Sequence, residues 1–189
     1  EALTSARGWF AERAAASMVG MAESFRTWRA ATRGELTTAG IEESFSYDVP
    51  AGVRVRGRID RLEATRAGDV VAVDVKTSAA AASRAEAAAH PQLALYQLAV
   101  AEGAVAPAAG RSPGGGLLLY LGGREGRAPT ERTQDPLTPA AGEEWARRVG
   151  EAGRATLGPG YVARVGAWCR YCPVRSSCPA QPEGRQVTP

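Results

Sequence analysis

The sequence predicts an α/β fold: a central mixed sheet flanked by helices, followed by a Cys-rich C-terminal tail. Three observations carry this expectation. Apolar residues recur at helical spacing near the N-terminus. Three β-rich segments then follow one another across short turns. A further helical stretch separates them from one more apolar run.

From Ala2 to about Ala31 the chain is Ala-rich, with Trp9, Phe10, Met18, Met21, Phe25 and Trp28 at three- and four-residue steps. That period marks an amphipathic core helix. Gly34 and Gly40 bracket a break. Ile41 to Val49 and Val53 to Glu63 read as strands joined by Pro50-Ala51-Gly52, and Val70 to Lys76 as a third, reached through Arg66-Ala67-Gly68-Asp69. An Ala-rich stretch from Ala79 precedes a helix from about Pro91 to Glu102. Its opening proline is tolerated because the first helical N–H has no intrahelical partner. Leu117 to Leu121, led in by Gly114 to Gly116, reads as a buried strand. Residues 122–136, rich in Gly, Arg and Pro, read as a loop, and Pro139 to about Leu157 as a last helix. The chain divides into a core of residues 1–160 and a tail of residues 161–189, packed on the same domain.

With 189 residues, 44% hydrophobic and 23% charged, the chain has the size and apolar content for one core. No apolar run approaches the ~20 residues of a membrane helix, and no signal-peptide layout opens the sequence, so a cytoplasmic protein is expected. The net charge of +3 does not by itself demand a nucleic-acid partner. The arginines after Glu143 suit a phosphate-facing surface, and equally a solvated basic face. Among the 23 basic residues the single lysine is Lys76. Guanidinium is planar and permanently charged, whereas an ammonium is a compact point charge whose pKa can shift. A lone lysine in an Arg-rich chain therefore draws attention to where it stands.

It stands beside a carboxylate. In Val53 to Glu63, strict alternation turns Val53, Val55, Gly57 and Ile59 one way and Arg58 and Asp60 the other. In Val70 to Lys76, the valines at 71, 73 and 75 share a face, and Asp74 and Lys76 project together from the opposite one. If the two strands pair, Asp60 approaches Asp74. Two like charges held close need a cation between them. Hard oxygen ligands suit Mg²⁺ or Mn²⁺, which polarise a phosphate and acidify a bound water, while a neighbouring lysine orients that water. Taken alone, Asp-x-Lys fits an ordinary strand-end ion pair better than a metal site.

Three elements extend the pattern: Gly57-Arg58-Ile59-Asp60-Arg61, Val73-Asp74-Val75-Lys76-Thr77, and Gln92-Leu93-Ala94-Leu95-Tyr96. In this order they resemble the RecB-like branch of the PD-(D/E)XK nucleases, whose fold is a restriction-endonuclease-like core. The resemblance spans roughly Ile41 to Val100. It implies that Asp60 and Asp74 bind the metal with the Val75 carbonyl, that Lys76 serves the attacking water, and that Gln92 and Tyr96 flank the site and contact DNA. Glu42 aligns best with the family's first acidic motif, with Glu43 a close competitor. Many RecB-like nucleases carry a further histidine ligand upstream of the first strand. Here the one histidine is His90, ahead of Gln92, read as a helix-entry or DNA-facing residue.

Cys169, Cys172 and Cys178 form C-x2-C-x5-C, and an odd count argues against a disulfide framework. Clustered thiolates favour zinc or an iron–sulfur cluster, both of which want four ligands. The spacing resembles the C-terminal triplet of AddB-type iron–sulfur nucleases. That resemblance implies a [4Fe–4S] cluster, with zinc the alternative and the fourth Cys supplied from outside this chain. Trp168 and Tyr171 are expected to shield the metal from water. The residue style is nearest the actinobacterial AdnAB-type enzymes, which implies single-stranded DNA as substrate, a helicase domain or subunit as partner, and a role in double-strand break repair. A non-cleaving DNA-binding or structural module is the alternative.

Overall fold

Strand pairing starts where Val49 meets Val53, with Gly52 in the left-handed region at φ 70°. The computed structural model describes residues 8–50, 52–122, 128–160 and 162–184. Its sheet holds β1 (Leu36–Val49), β2 (Val53–Thr65), β3 (Val70–Lys76), β4 (Pro113–Tyr120) and β5 (Thr130–Gln134), in that spatial order. β1, β2 and β3 are antiparallel neighbours, β4 lies parallel to β3, and β5 runs antiparallel to β4. The parallel step needs a crossover, which α2 (Arg84–Ala88) and α3 (Pro91–Ala101) provide. With α1 (Trp9–Thr32) before the sheet and α4 (Pro139–Ala155) after it, this is the mixed, helix-flanked sheet that the sequence predicts.

The two sheet faces bury different partners. On one, Ile59, Leu62, Val70, Ala72 and Leu118 pack with Leu93, Tyr96 and Val100 of α3, and Trp145 and Val149 of α4 close over the same cluster. On the other, Trp28 of α1 seals Val73, Leu117, Leu119 and Leu121, with Met21 and Phe25 beside it. The central strands β3 and β4 are thus covered on both sides, which is why Leu117-Leu118-Leu119 can be continuously apolar. Only the second half of α1 docks in this way: Trp9 is 61% and Met18 49% exposed. Gly57 lets the hairpin close, since a Cβ there would meet the Phe45 ring at 2.8 Å.

Strict alternation in β2 fails at one place. Ile59 and Leu62 enter the same core although they stand three residues apart, so the phase changes between them, around Asp60 and Arg61. The β1–β2 ladder is interrupted there too, pairing Ile41 with Arg61 and Glu43 with Ile59 but leaving out Glu42 and Asp60. Glu42 has φ 55°, the one non-glycine residue described with positive φ. Beyond the break, Arg61 reaches Glu63 and the Thr38 hydroxyl, and Arg29 of α1 meets Glu63 at 3.3 Å. Glu63 is fully buried, so these two guanidiniums neutralise a charge that would otherwise be very costly.

Two elements depart from the sequence expectation. Residues 122–136 were expected to form a loop, yet Thr130–Gln134 is β5, a polar edge strand of which only Gln134 is buried. An edge strand needs no apolar alternation, so its sequence carries no strand signal. The Ala-rich stretch hides α2, although Ser83 and Glu86 form a capping box that spells S-x-x-E in the sequence.

The chain resolves into two compact units, Glu1–Gly150 and Glu151–Pro189. The second holds short 3₁₀ turns at Ala167–Tyr171 and Arg175–Ser177. Among the described residues no helix is long and apolar enough to cross a membrane.

Candidate active site

The β2–β3 ladder runs from Ala64 opposite Val70 to Arg61 opposite Val73, and no further pair is formed. One step past its end, the Asp60 carboxylate takes over: its Oδ2 accepts the Val75 N–H at 2.8 Å. A side chain thus replaces a main-chain partner where the two strands separate. The opening leaves room for Asp74, on the strand position next to Val73.

Asp74 is 3% exposed. Lys76 Nζ stands 2.6 Å from its Oδ2, an ion pair at an oxygen that is otherwise closed to solvent. Burial pushes the Asp74 carboxyl above the usual carboxylate range. The Lys76 ammonium opposes this through its hydrogen bond and its charge without cancelling it, and the nearby Asp60 charge adds to it. An acceptor so placed suits a cation better than it suits solvent.

Helix α3 brings the remaining residues. Gln92 and Tyr96 share one face because they lie four apart. Lys76 Nζ donates to Gln92 Oε1 at 3.1 Å, Gln92 Nε2 donates to the Tyr96 oxygen at 2.7 Å, and the Tyr96 O–H donates to the Arg58 carbonyl at 3.1 Å. The chain of bonds runs from β3 through α3 to β2, spanning the gap between the two strands. Burial raises the Tyr96 pKa against the pull of Gln92, with the Asp74 and Asp60 charges adding to the rise, so the phenol stays protonated and keeps donating. His90, at the N-cap of α3, has a buried Nδ1 without a hydrogen bond among the described residues, and burial together with the Lys76 charge lowers its pKa against the pull of Asp74.

The sequence-predicted residues therefore separate into groups. Asp60, Asp74, Val75, Lys76, Gln92 and Tyr96 are brought together. Glu42 faces the interruption in the ladder but pairs with Arg58 at 2.7 Å, both side chains more than half exposed. Among the described residues no three His, Cys, Asp or Glu side chains gather into a metal-holding group. That applies to the tail as well: Cys169, Cys172 and Cys178 are free, partly buried thiols, and Cys169 Sγ accepts the Gly166 N–H at 3.3 Å. Trp168 and Tyr171, expected as shields, are 68% and 76% exposed, and Arg170 stacks on the Tyr171 ring instead.

One positioning residue was missed because it lies in the stretch read as a loop. Gln134 of β5 is buried, and its Nε2 donates to the carbonyls of Ala88 at 3.0 Å and His90 at 3.1 Å, while its Oε1 accepts from Gln97 at 3.0 Å. It fixes the turn that starts α3, and through it the placement of Gln92.

This sheet order and this opened strand pair accord with a match that covers almost the whole chain: residues 1–179 match the PD-(D/E)XK nuclease superfamily. The chain belongs to that superfamily. A solved structure described as the crystal structure of SSO0001 shares the fold of this PD-(D/E)XK domain, with a TM-score of 0.51 and 18% identity over 88% of this chain and 71% of that one. Membership in the PD-(D/E)XK superfamily points to nuclease activity on DNA, which in this superfamily is generally metal-dependent, with Mg²⁺ or Mn²⁺ the usual cations.

Proposed function

We propose that this PD-(D/E)XK domain is a Mg²⁺- or Mn²⁺-dependent deoxyribonuclease that hydrolyses phosphodiesters of single-stranded DNA. The observation that supports it is the buried Asp74 carboxylate, whose Oδ2 meets the Lys76 ammonium at 2.6 Å and which lies near Asp60 where β2 and β3 part. Asp60, Asp74 and the Val75 carbonyl would hold the cation. Its contribution when bound is to polarise the scissile phosphate and lower the pKa of the attacking water. Lys76 places a compact positive charge beside Asp74, where it orients that water and stabilises charge developing on the phosphate. Gln92 holds the ammonium from the other side, and Tyr96 ties Gln92 to β2. Glu42, freed from Arg58, would be the acidic residue added when substrate binds.

The RecB-like motifs further support a place as the nuclease module of a helicase–nuclease, fed single strands by a helicase domain or subunit during double-strand break repair. The C-x2-C-x5-C spacing supports a [4Fe–4S] cluster on Cys169, Cys172 and Cys178, with zinc the alternative and a fourth donor required beyond these three. A second reading, a DNA-binding module without cleavage, is favoured by one observation: no third acidic or histidine side chain joins Asp60 and Asp74 among the described residues.

Labelled single-stranded DNA incubated with Mg²⁺, Mn²⁺ or chelator separates these readings. Divalent-dependent cleavage that disappears in Asp74→Ala is the expected result. Binding without cleavage under any cation selects the second reading.

A further inference from the structure

We propose that the open face of the β1–β2 hairpin is a track for the phosphate backbone of a nucleic-acid single strand. The inference rests on the nuclease reading, which supplies the class of ligand. Phe45, Tyr47 and Val49 of β1 and Val53 and Val55 of β2 turn to the core, so the alternate positions form the other face. Those positions are Arg54, Arg56 and Arg58 on β2, and across the ladder from them Asp48, Ser46 and Ser44 on β1. All six are polar, and the three arginines are exposed.

The spacing fits a polyanion. Alternate residues on one face of a strand stand about 6.7 Å apart, a step of the same order as that between successive phosphates along an extended strand. Guanidinium forks and hydroxyls are the groups that hold phosphate oxygens without reading bases. The face carries three cations against two carboxylates. Arg54 pairs with Asp48 at 2.8 Å and Arg58 with Glu42 at 2.7 Å, all four side chains more than half exposed, while Arg56 has no ion pair among the described residues. Exposed pairs of this kind are weak and exchangeable, so a phosphate can replace the carboxylate. Absence of apolar side chains makes the face a poor surface for a protein partner of ordinary composition. The row also ends near the site in sequence and along β2: Arg58 lies two residues before Asp60, and its main-chain carbonyl accepts the Tyr96 hydroxyl.

The test is binding of labelled oligothymidylate by fluorescence anisotropy, with Ca²⁺ in place of Mg²⁺ to suppress hydrolysis. The R54Q/R56Q pair is compared with wild type and with R147Q/R148Q on α4, which removes the same charge elsewhere. Expected for R54Q/R56Q is a loss of about tenfold in affinity and a plot of log K against log salt shallower by roughly 1.4, two lost phosphate contacts at ~0.7 each for a single strand. The α4 pair should keep the wild-type slope. An unchanged slope in R54Q/R56Q, or an equal loss in both pairs, overturns the track. Wild-type cleavage measured in parallel with Mg²⁺ keeps the two questions apart: no divalent-dependent cleavage refutes the nuclease reading, whereas cleavage with an unaltered slope refutes the track alone.

Discussion

The Asp60 carboxylate takes the place of a main-chain acceptor for Val75, at 2.8 Å, at the point where the β2–β3 ladder has ended. One oxygen of that side chain is therefore structural, and the other is left for chemistry. Asp60→Asn separates the two roles, because the amide oxygen can still accept the Val75 N–H while the charge is gone. Cleavage should fall about a hundredfold or more, since a lost metal carboxylate removes several kcal/mol of transition-state stabilisation at 1.36 kcal/mol per decade. The melting temperature in chelator should stay near wild type. Wild-type turnover in Asp60→Asn, measured on labelled single strands, would remove Asp60 from the metal site.

Asp74 makes a prediction about stability and pH. Burial raises its folded-state pKa above the unfolded value. Between those two values the folded protein keeps a proton that the unfolded chain has released, so stability is greatest below the unfolded value and declines as pH rises through the folded one. In chelator, Asp74→Asn should flatten this decline and melt higher than wild type at neutral pH. Added Mg²⁺ should raise the wild-type melting temperature and leave the variant's almost unchanged, as expected for a ligand that binds only the native site. A variant that melts lower than wild type in chelator would show that the Lys76 ion pair outweighs the burial of the charge.

The bonds from Lys76 to Gln92 to Tyr96 to the Arg58 carbonyl act in series, so breaking one should impair the rest. Tyr96→Phe leaves the Gln92 amide and the Arg58 carbonyl without that partner, a stability loss of about 1–2 kcal/mol. It should also lower kcat several-fold while KM changes little, because the lysine loses its orientation and not the DNA its contacts. In a double-mutant cycle of Tyr96→Phe with Gln92→Ala, the coupling in kcat/KM should be about 1 kcal/mol. Additive losses confined to KM would place both residues on the DNA instead. Lys76→Arg should be nearly as damaging as Lys76→Ala, since a planar fork does not fit between Asp74 and Gln92.

How much of this was legible in the sequence depends on whether a residue's neighbours are local. Asp74 and Lys76 are two apart on a strand, and Gln92 and Tyr96 four apart on a helix, so spacing alone places each pair on one face. The strand bounds of β3 and the start of α3 at Pro91 follow from the same short-range rules. The phase change between Ile59 and Leu62 is not local. It arises because β1 and β2 are interrupted together, which no pattern within Val53–Thr65 records. Gln134 was hidden for a related reason: an edge strand of Thr, Glu, Arg and Gln looks like a loop until its partner β4 is known.

That glutamine carries the last prediction. Gln134 Nε2 donates to the carbonyls of Ala88 and His90, with Ala87 slightly farther at 3.4 Å, and its Oε1 accepts from Gln97, whose own Oε1 takes the Leu137 N–H. These carbonyls lie where α2 ends and α3 begins: Ala87 also accepts the His90 N–H and His90 the Ala94 N–H, both at 3.1 Å, so the Ala88 carbonyl depends most on Gln134. Gln134→Leu keeps the volume approximately and removes every one of these bonds, leaving the Ala88 carbonyl without that partner, while the Gln97 amide retains the Asp135 carbonyl at 3.2 Å. The loss should be on the order of 1–2 kcal/mol in urea unfolding, read as a lower midpoint at unchanged m. The effect should also reach the site, because the His90 carbonyl and Gln92 lie two residues apart at the start of α3. Variant protein that is still folded at low temperature should therefore show kcat reduced several-fold, with Lys76 less well held. A Gln134→Leu protein that unfolds at the wild-type urea midpoint would mean the turn is fixed by packing alone. One that loses stability but keeps full kcat would uncouple β5 from the catalytic lysine.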